Sequence, residues 1–177
     1  MTFIRNRKFA KQAGMTLIET IVSLSILAVV VSVALSLYNS ATSQQASTQM
    51  MSDLSALRSA TKSVYYGQGG YGSANLNQVL VHAKKVPTTM LVTAGTPPVI
   101  THGLSGTVSV TGAVSSFTIS VTKIPTDVCL NVLAGTKGWN SVQVGAATPV
   151  TTFPISPDTA SAQCSTSDDN TIVFQST

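Results

Sequence analysis

The sequence predicts an α+β fold: one long N-terminal α-helix packed on the antiparallel β-sheet of a C-terminal head. Three observations predict it. Met15 to Tyr65 contains no Gly and no Pro, so nothing there stops a continuous helix of ~50 residues and ~75 Å. From Thr88 onward the composition shifts to Val, Thr, Ser, Ile and Gly with little charge, the texture of strands. The helical pattern comes first and the strands follow without β-α-β alternation, which favours an antiparallel sheet over a parallel one.

The chain opens on a basic tract, Arg5, Arg7, Lys8 and Lys11, which ends at Gly14. Gly14-Met15-Thr16-Leu17-Ile18-Glu19-Thr20 then leads into the apolar run Ile21 to Leu37. Roughly 20 apolar residues at ~1.5 Å rise cover the ~30 Å of a bilayer core. Basic residues beside such a run hold it with the N-terminus in the cytoplasm and send the C-terminal bulk across. From Thr20 to Ser52 there is no Asp, Glu, Lys or Arg, which leaves Glu19 as the one charged side chain at the head of the segment. An ionised carboxylate there is costly unless paired. No Lys or Arg follows before Arg58, so the nearest candidate cation is an amine created on Met15 by cutting the chain after Gly14. Two other readings stand beside this one. A secretory signal would be cut near Ser40-Ala41-Thr42 or Ser43, and an uncleaved anchor would tether a periplasmic binding module.

Within the helix, Ala28, Ser32, Ser36, Ser40 and Gln44 recur every four residues as a small and polar stripe. Such a stripe lets helices approach closely in an apolar medium, or its hydroxyls bond back to their own helix. Met50, Leu54, Leu57, Thr61 and Val64 follow the helical period, with Asp53, Arg58 and Lys62 on other faces. The first half, 15–37, is expected to anchor and the second, 38–66, to lie on the head, 67–177.

Gly67-Gln68-Gly69-Gly70-Tyr71-Gly72 ends the helix. It spells GxGxxG but follows a helix instead of a strand, so it reads as a flexible turn and not as a dinucleotide site. Asn75 is placed to cap a short helix in which Leu76, Val79, Leu80 and Ala83 share a face, with His82 on the surface. Thr107–Thr111, Ser116–Lys123 and Thr171–Phe174 read as strands, and 90–93, 99–101 and 141–144 as weaker ones. Gly112 marks a hairpin between the first two. After Pro125, Thr126 and Asp127 are placed to cap a helix that runs through Leu133, ends at Gly135 and carries Cys129. Residues 158–163 form another short helical turn before Cys164.

Composition narrows the function classes. Of ten Lys and Arg, four lie before Gly14, which leaves six against six Asp and Glu. A chain that is neutral beyond Gly14, with its cluster of basic residues in the N-terminal tract instead of spread over a folded face, is a poor nucleic-acid binder. Cys129 and Cys164 are the two cysteines, and in an exported chain they most simply form one disulfide, worth ~4 kcal/mol in the chain-entropy model. Two cysteines with two distant histidines, His82 and His102, lack the spacing of a metal site. The head has no Glu and no nucleophile motif such as GxSxG, so neither catalytic residues nor a cofactor are predicted.

The basic leader, Gly14, hydrophobic Met15, Thr16, Glu19 and the apolar helix together resemble the processing site of a type IV prepilin, over roughly Lys11 to Leu37. Met15 as first mature residue, the length of the leader and the two late cysteines resemble the type IVb pilins. The resemblance implies removal of 1–14 by a membrane prepilin peptidase and N-methylation of Met15. It also implies pairing of Glu19 with the amine of a neighbouring subunit, with Thr16 part of the same assembly segment. The chain would wait in the bacterial inner membrane and then be drawn by an assembly platform into an extracellular helical homopolymer, a pilus. Pili of this kind serve adhesion, motility, conjugation or DNA uptake, and a minor pilin or a type II secretion pseudopilin would share the same N-terminus. The resemblance further implies a connecting loop over 67–106, an antiparallel sheet, and a region bounded by Cys129 and Cys164. One departure is that 28–40 holds neither Gly nor Pro, so the helix is expected not to melt there in the filament.

Overall fold

The computed structural model describes residues 16–165 and 167–177. It divides into two compact units, one ending at Ser40 and one spanning Ala41–Thr177.

Helix α1 runs Leu17–Val64 without interruption, as a stretch free of Gly and Pro should. In the first unit four hydroxyls bond back to the helix itself. Thr20 donates to the Leu17 carbonyl, Ser23 to Glu19, Ser25 to Ile21 and Ser32 to Val29, at 2.7–2.8 Å. For Ser32, at least, the stripe therefore takes the self-bonding course.

In the second unit six antiparallel strands are arranged β1-β2-β3-β4-β6-β5. They are β1 Leu91–Thr93, β2 Val99–Thr101, β3 Thr107–Gly112, β4 Phe117–Ile124, β5 Ser141–Val144 and β6 Asn170–Ser176. All six expected strands form. The last strand of the chain inserts between β4 and β5, so the centre of the sheet is built from segments far apart in sequence. Alternate side chains of β4 and β6, among them Phe117, Ile119, Val121, Ile172 and Phe174, are fully buried, the pattern of a sheet with one covered face. Met50, Leu54 and Leu57 of α1 join them in one core. β5's outer edge is taken up by Val150, which exchanges both backbone bonds with Val142.

The register of β4 slips by one residue between Val121 and Ile124. Lys123 sits there at φ +56°, and this bulge returns Ile124 to the core after two outward residues. Asn170 plugs the bulge by donating to the Ile124 carbonyl at 3.1 Å while accepting the Ser165 N–H.

Several local expectations change. Asp53 is not on a solvent face; it is 7% exposed, because Gln49 and Thr89 supply hydrogen bonds that let it sit beneath the loop leading to β1. Gly67 to Gly72 is not a loose turn. Tyr71 packs between Tyr65 and Phe117, with ring centroids 5.6 and 4.8 Å away, and its N–H donates to Ala113. That close approach requires glycine at 112, where a Cβ would lie 2.2 Å from the Tyr71 carbonyl oxygen.

Helix α2 is only Asn77–His82. Asn75 does accept the Asn77 N–H, at 2.8 Å, but from outside the helix. Leu76 and Leu80 are buried while Val79 and Ala83 are exposed. The inward position goes instead to Asn77, whose side chain bonds Val108 and Val110 of β3; a helix this short is held by such bonds more than by an apolar face. His82 is exposed, as expected. Helix α3, Thr126–Gly135, and helix α4, Pro157–Gln163, carry the cysteines into the Cys129–Cys164 disulfide. Thr126 does not cap α3, but Asp127 Oδ1 accepts the Val128 N–H of the first turn at 2.8 Å, and the Thr126 N–H is taken by Asp168 Oδ1 at 3.1 Å, reaching across from the far end of the disulfide loop.

Candidate functional site

Of the residues singled out at the N-terminus, Gly14 and Met15 lie outside the described residues, and Thr16 and Glu19 lie within them. Thr16 precedes α1, and its Oγ1 accepts the Glu19 N–H at 3.4 Å while its carbonyl accepts from Thr20. This is an N-terminal cap: the hydroxyl satisfies one of the N–H groups that a helix leaves without a partner. Thr16-x-x-Glu19 also has the spacing of a capping box, a signal that is local in the sequence. The Glu19 carboxylate is exposed and sits in the first turn, where the helix dipole favours a negative charge. Beyond it Leu17, Ile18, Ile21, Val22 and Leu24 are all exposed. α1 is long and apolar enough to cross a membrane, with a window of mean hydropathy 2.5, none of it buried.

The head holds a second concentration of polar groups. A pocket of about 250 Å³ lies between α1 and the turn that follows β2, lined by Gln45, Gln49, Met50 and Asp53 on one side and by His102 and Leu104 on the other. Asp53 Oδ1 accepts from Gln49 Nε2 at 2.9 Å and from Thr89 Oγ1 at 2.8 Å. His102 is 4% exposed. Its Nδ1 accepts the Leu104 N–H at 3.3 Å, which leaves Nε2 to donate to the Thr122 carbonyl at 2.8 Å, on the β4 bulge. Burial is the strongest influence on this imidazole and lowers its pKa from the usual value, while the Thr122 carbonyl and the Asp53 charge pull it back. The ring is therefore held neutral. Gly106 is required beside it, since a Cβ there would meet Thr122 O at 1.9 Å and His102 Nε2 at 2.3 Å.

On the other side of α1 a smaller pocket of about 160 Å³ is lined by Ser55, Arg58, Thr136, Lys137 and Trp139. The Arg58 guanidinium lies over the Trp139 ring at 5.1 Å and donates to the Gly138 carbonyl, a cation–π contact that locks this turn to the helix. Neither pocket was foreseen. Asp53 and His102 are far apart in sequence, and only the pairing of β2 with β3 brings the turn against the helix. Among the described residues no group of three His, Cys, Asp or Glu could hold a metal ion.

Two family models match the chain. Residues 9–35 match the prokaryotic N-terminal methylation motif, and residues 43–177 match the family described as PilS N terminal. No curated protein shows significant sequence similarity to the chain. The two matches cover the capped apolar helix and the α+β head described above, and they point to a structural protein rather than an enzyme. With a prepilin-type methylation motif at its start and a PilS match over most of its length, the chain belongs to the PilS N-terminal family and is a type IV pilin.

Proposed function

We propose that the chain is a structural subunit of a type IVb-like pilus, assembled into a helical filament through α1. The observation that carries this reading is an apolar helix segment with none of its surface buried, headed by Glu19 and overlapping the methylation motif. Such a surface needs either lipid or other helices around it. Prepilin peptidase cuts after Gly14 on the cytoplasmic side and N-methylates Met15; the segment 15–37 holds the pilin in the inner membrane; an assembly platform then moves it into the filament, where lipid is replaced by neighbouring copies.

In that core Glu19 sets the register. A desolvated carboxylate adds little net stability but penalises any position that leaves it unpaired. Its counter-ion is the Met15 amine of an adjacent copy, and Thr16 keeps the first turn of the helix closed while the two meet. Glu19→Ala should leave the pilin in the membrane and lower the yield of sheared filaments by more than about tenfold, the effect of ~1.4 kcal/mol lost per subunit added. Wild-type filament yield from that variant would overturn the register role. Mass spectrometry of the sheared product tests the rest. A chain starting at N-methylated Met15 is expected; one starting at Met1, or trimmed past Leu37, would overturn the filament reading. High copy number in purified filaments marks a major pilin, and trace amounts mark a minor pilin or pseudopilin.

A further inference from the structure

The two pockets on the head are complementary, and the inference drawn from them rests on the filament reading above. We propose that neighbouring copies in the filament are keyed head to head by Lys137 of one copy entering the Asp53 pocket of the next.

The Asp53 pocket is built for an ammonium group. Asp53 is buried, and its Oδ1 is taken up by Gln49 and Thr89. Its Oδ2 takes no hydrogen bond from the described residues, yet it is not a sealed, unsatisfied atom, and Asp53 lines the pocket. No Lys or Arg among the described residues pairs with this carboxylate. The other titratable group facing it, His102, is neutral and has both ring nitrogens occupied. The pocket is therefore negative. Met50 and Leu104 offer apolar walls to the four-carbon stem of a lysine, and a buried carboxylate without a cation is an unstable arrangement that association can relieve.

Lys137 is presented as a rigid knob. It is exposed and bonded to no acid among the described residues. Its backbone is clamped on both sides: buried Thr136 donates its hydroxyl to Val132, and the Gly138 carbonyl accepts from Arg58, itself stacked on Trp139. A side chain on a fixed turn loses less freedom when it docks than one on a loose loop.

Position narrows the cations to Lys137 and to exposed Lys62, which also projects about 180° from Asp53, and of the two Lys137, against positions 51–58, lies nearer the pocket's level along the helix. At ~100° per residue, Ser55 and Arg58 project roughly 200° and 140° around α1 from Asp53, so the Lys137 knob and the Asp53 pocket flank opposite sides of the helix. In a filament of parallel helices one flank of each copy meets the opposite flank of its neighbour. Lys84 and Lys85 instead border a groove with Ala56 and Ala60 on the pocket's own side, where a parallel neighbour does not bring them. The pocket spans α1 positions 42–53 and the knob lies against 51–58, so the contact staggers adjacent copies by roughly 10 Å along the helix. Two different surfaces that pair without closing a ring generate an open helical assembly. That is why the occupant is a second copy and not a free amine.

The test places cysteines on the two flanks of the full chain, Gln45→Cys at the exposed pocket rim and Lys137→Cys on the knob, in cells that assemble the filament. The double variant should give sheared filaments that run as a ladder of covalent multimers without reductant, and neither single variant should. Separately, Lys137→Glu should lower filament yield by at least about tenfold, with Lys137→Arg restoring it and the pilin level in the membrane unchanged. Filaments of the double variant that run as monomers, or wild-type filament yield from Lys137→Glu, would overturn the contact and leave the filament reading intact. Absence of filaments from the wild-type chain would overturn both.

Discussion

Burial holds the His102 imidazole neutral between Thr122 and Leu104, and this has a consequence for pH. A base whose pKa is lower folded than unfolded takes up its proton more readily in the unfolded chain. Stability is then complete above the ordinary histidine pKa of ~6.5 and declines as pH falls below it toward the folded value. Asp53 is the charged group that acts on this ring, and it moderates the decline without reversing it. Urea unfolding of the full chain in detergent should show a lower midpoint at about pH 5.5 than at about pH 7.5, at unchanged slope. In His102→Gln, whose amide can still donate to Thr122, that difference should shrink. Neither residue drew notice in the sequence beyond a helical-wheel position for Asp53 and a missing metal spacing for His102. Burial depends on what lies opposite, which no local pattern contains.

Elements were the most legible level. The strands at 107–112, 117–124 and 170–176 announce themselves because a half-covered sheet forces inward residues to alternate with outward ones. Their ends were harder to read. Asp127, expected to cap α3, does accept the Val128 N–H, but the first free N–H, that of Thr126, goes to Asp168 across the disulfide loop. Asp168→Ala should therefore destabilise the head by about 1 kcal/mol, the usual value of an N-cap, although Asp168 is exposed and far from α3 in sequence. Calorimetry of that variant beside Asp169→Ala, whose side chain makes no such bond, checks it. In the core, Leu57 of α1 is fully buried against the sheet, and Leu57→Ala should cost ~2–5 kcal/mol, read as a fall in the denaturation midpoint of the head.

At the scale of the whole molecule, the chain separates two kinds of surface: an apolar helix segment with almost no charge, and a head whose core is closed by its own sheet, helices and disulfide. In the proposed filament, with few exposed charges, contacts between copies rest on apolar and hydroxyl surfaces, and those ion pairs that form are desolvated and weakly screened. Filaments should therefore keep their length through about 0.5 M salt, where the Debye length is well under ~8 Å, and light scattering across a salt series measures this. The long helix, its membrane-length apolar half, the isolated Glu19 and the antiparallel class can be read from residue order alone, because periodicity, length and composition are properties of neighbouring residues. The folded chain alone reveals that β6 lies between β4 and β5, that Asp53 and His102 share a pocket, and that Lys137 sits on the opposite flank. Those follow from strand order and register, which bring together residues whose separation along the chain carries no trace of their contact.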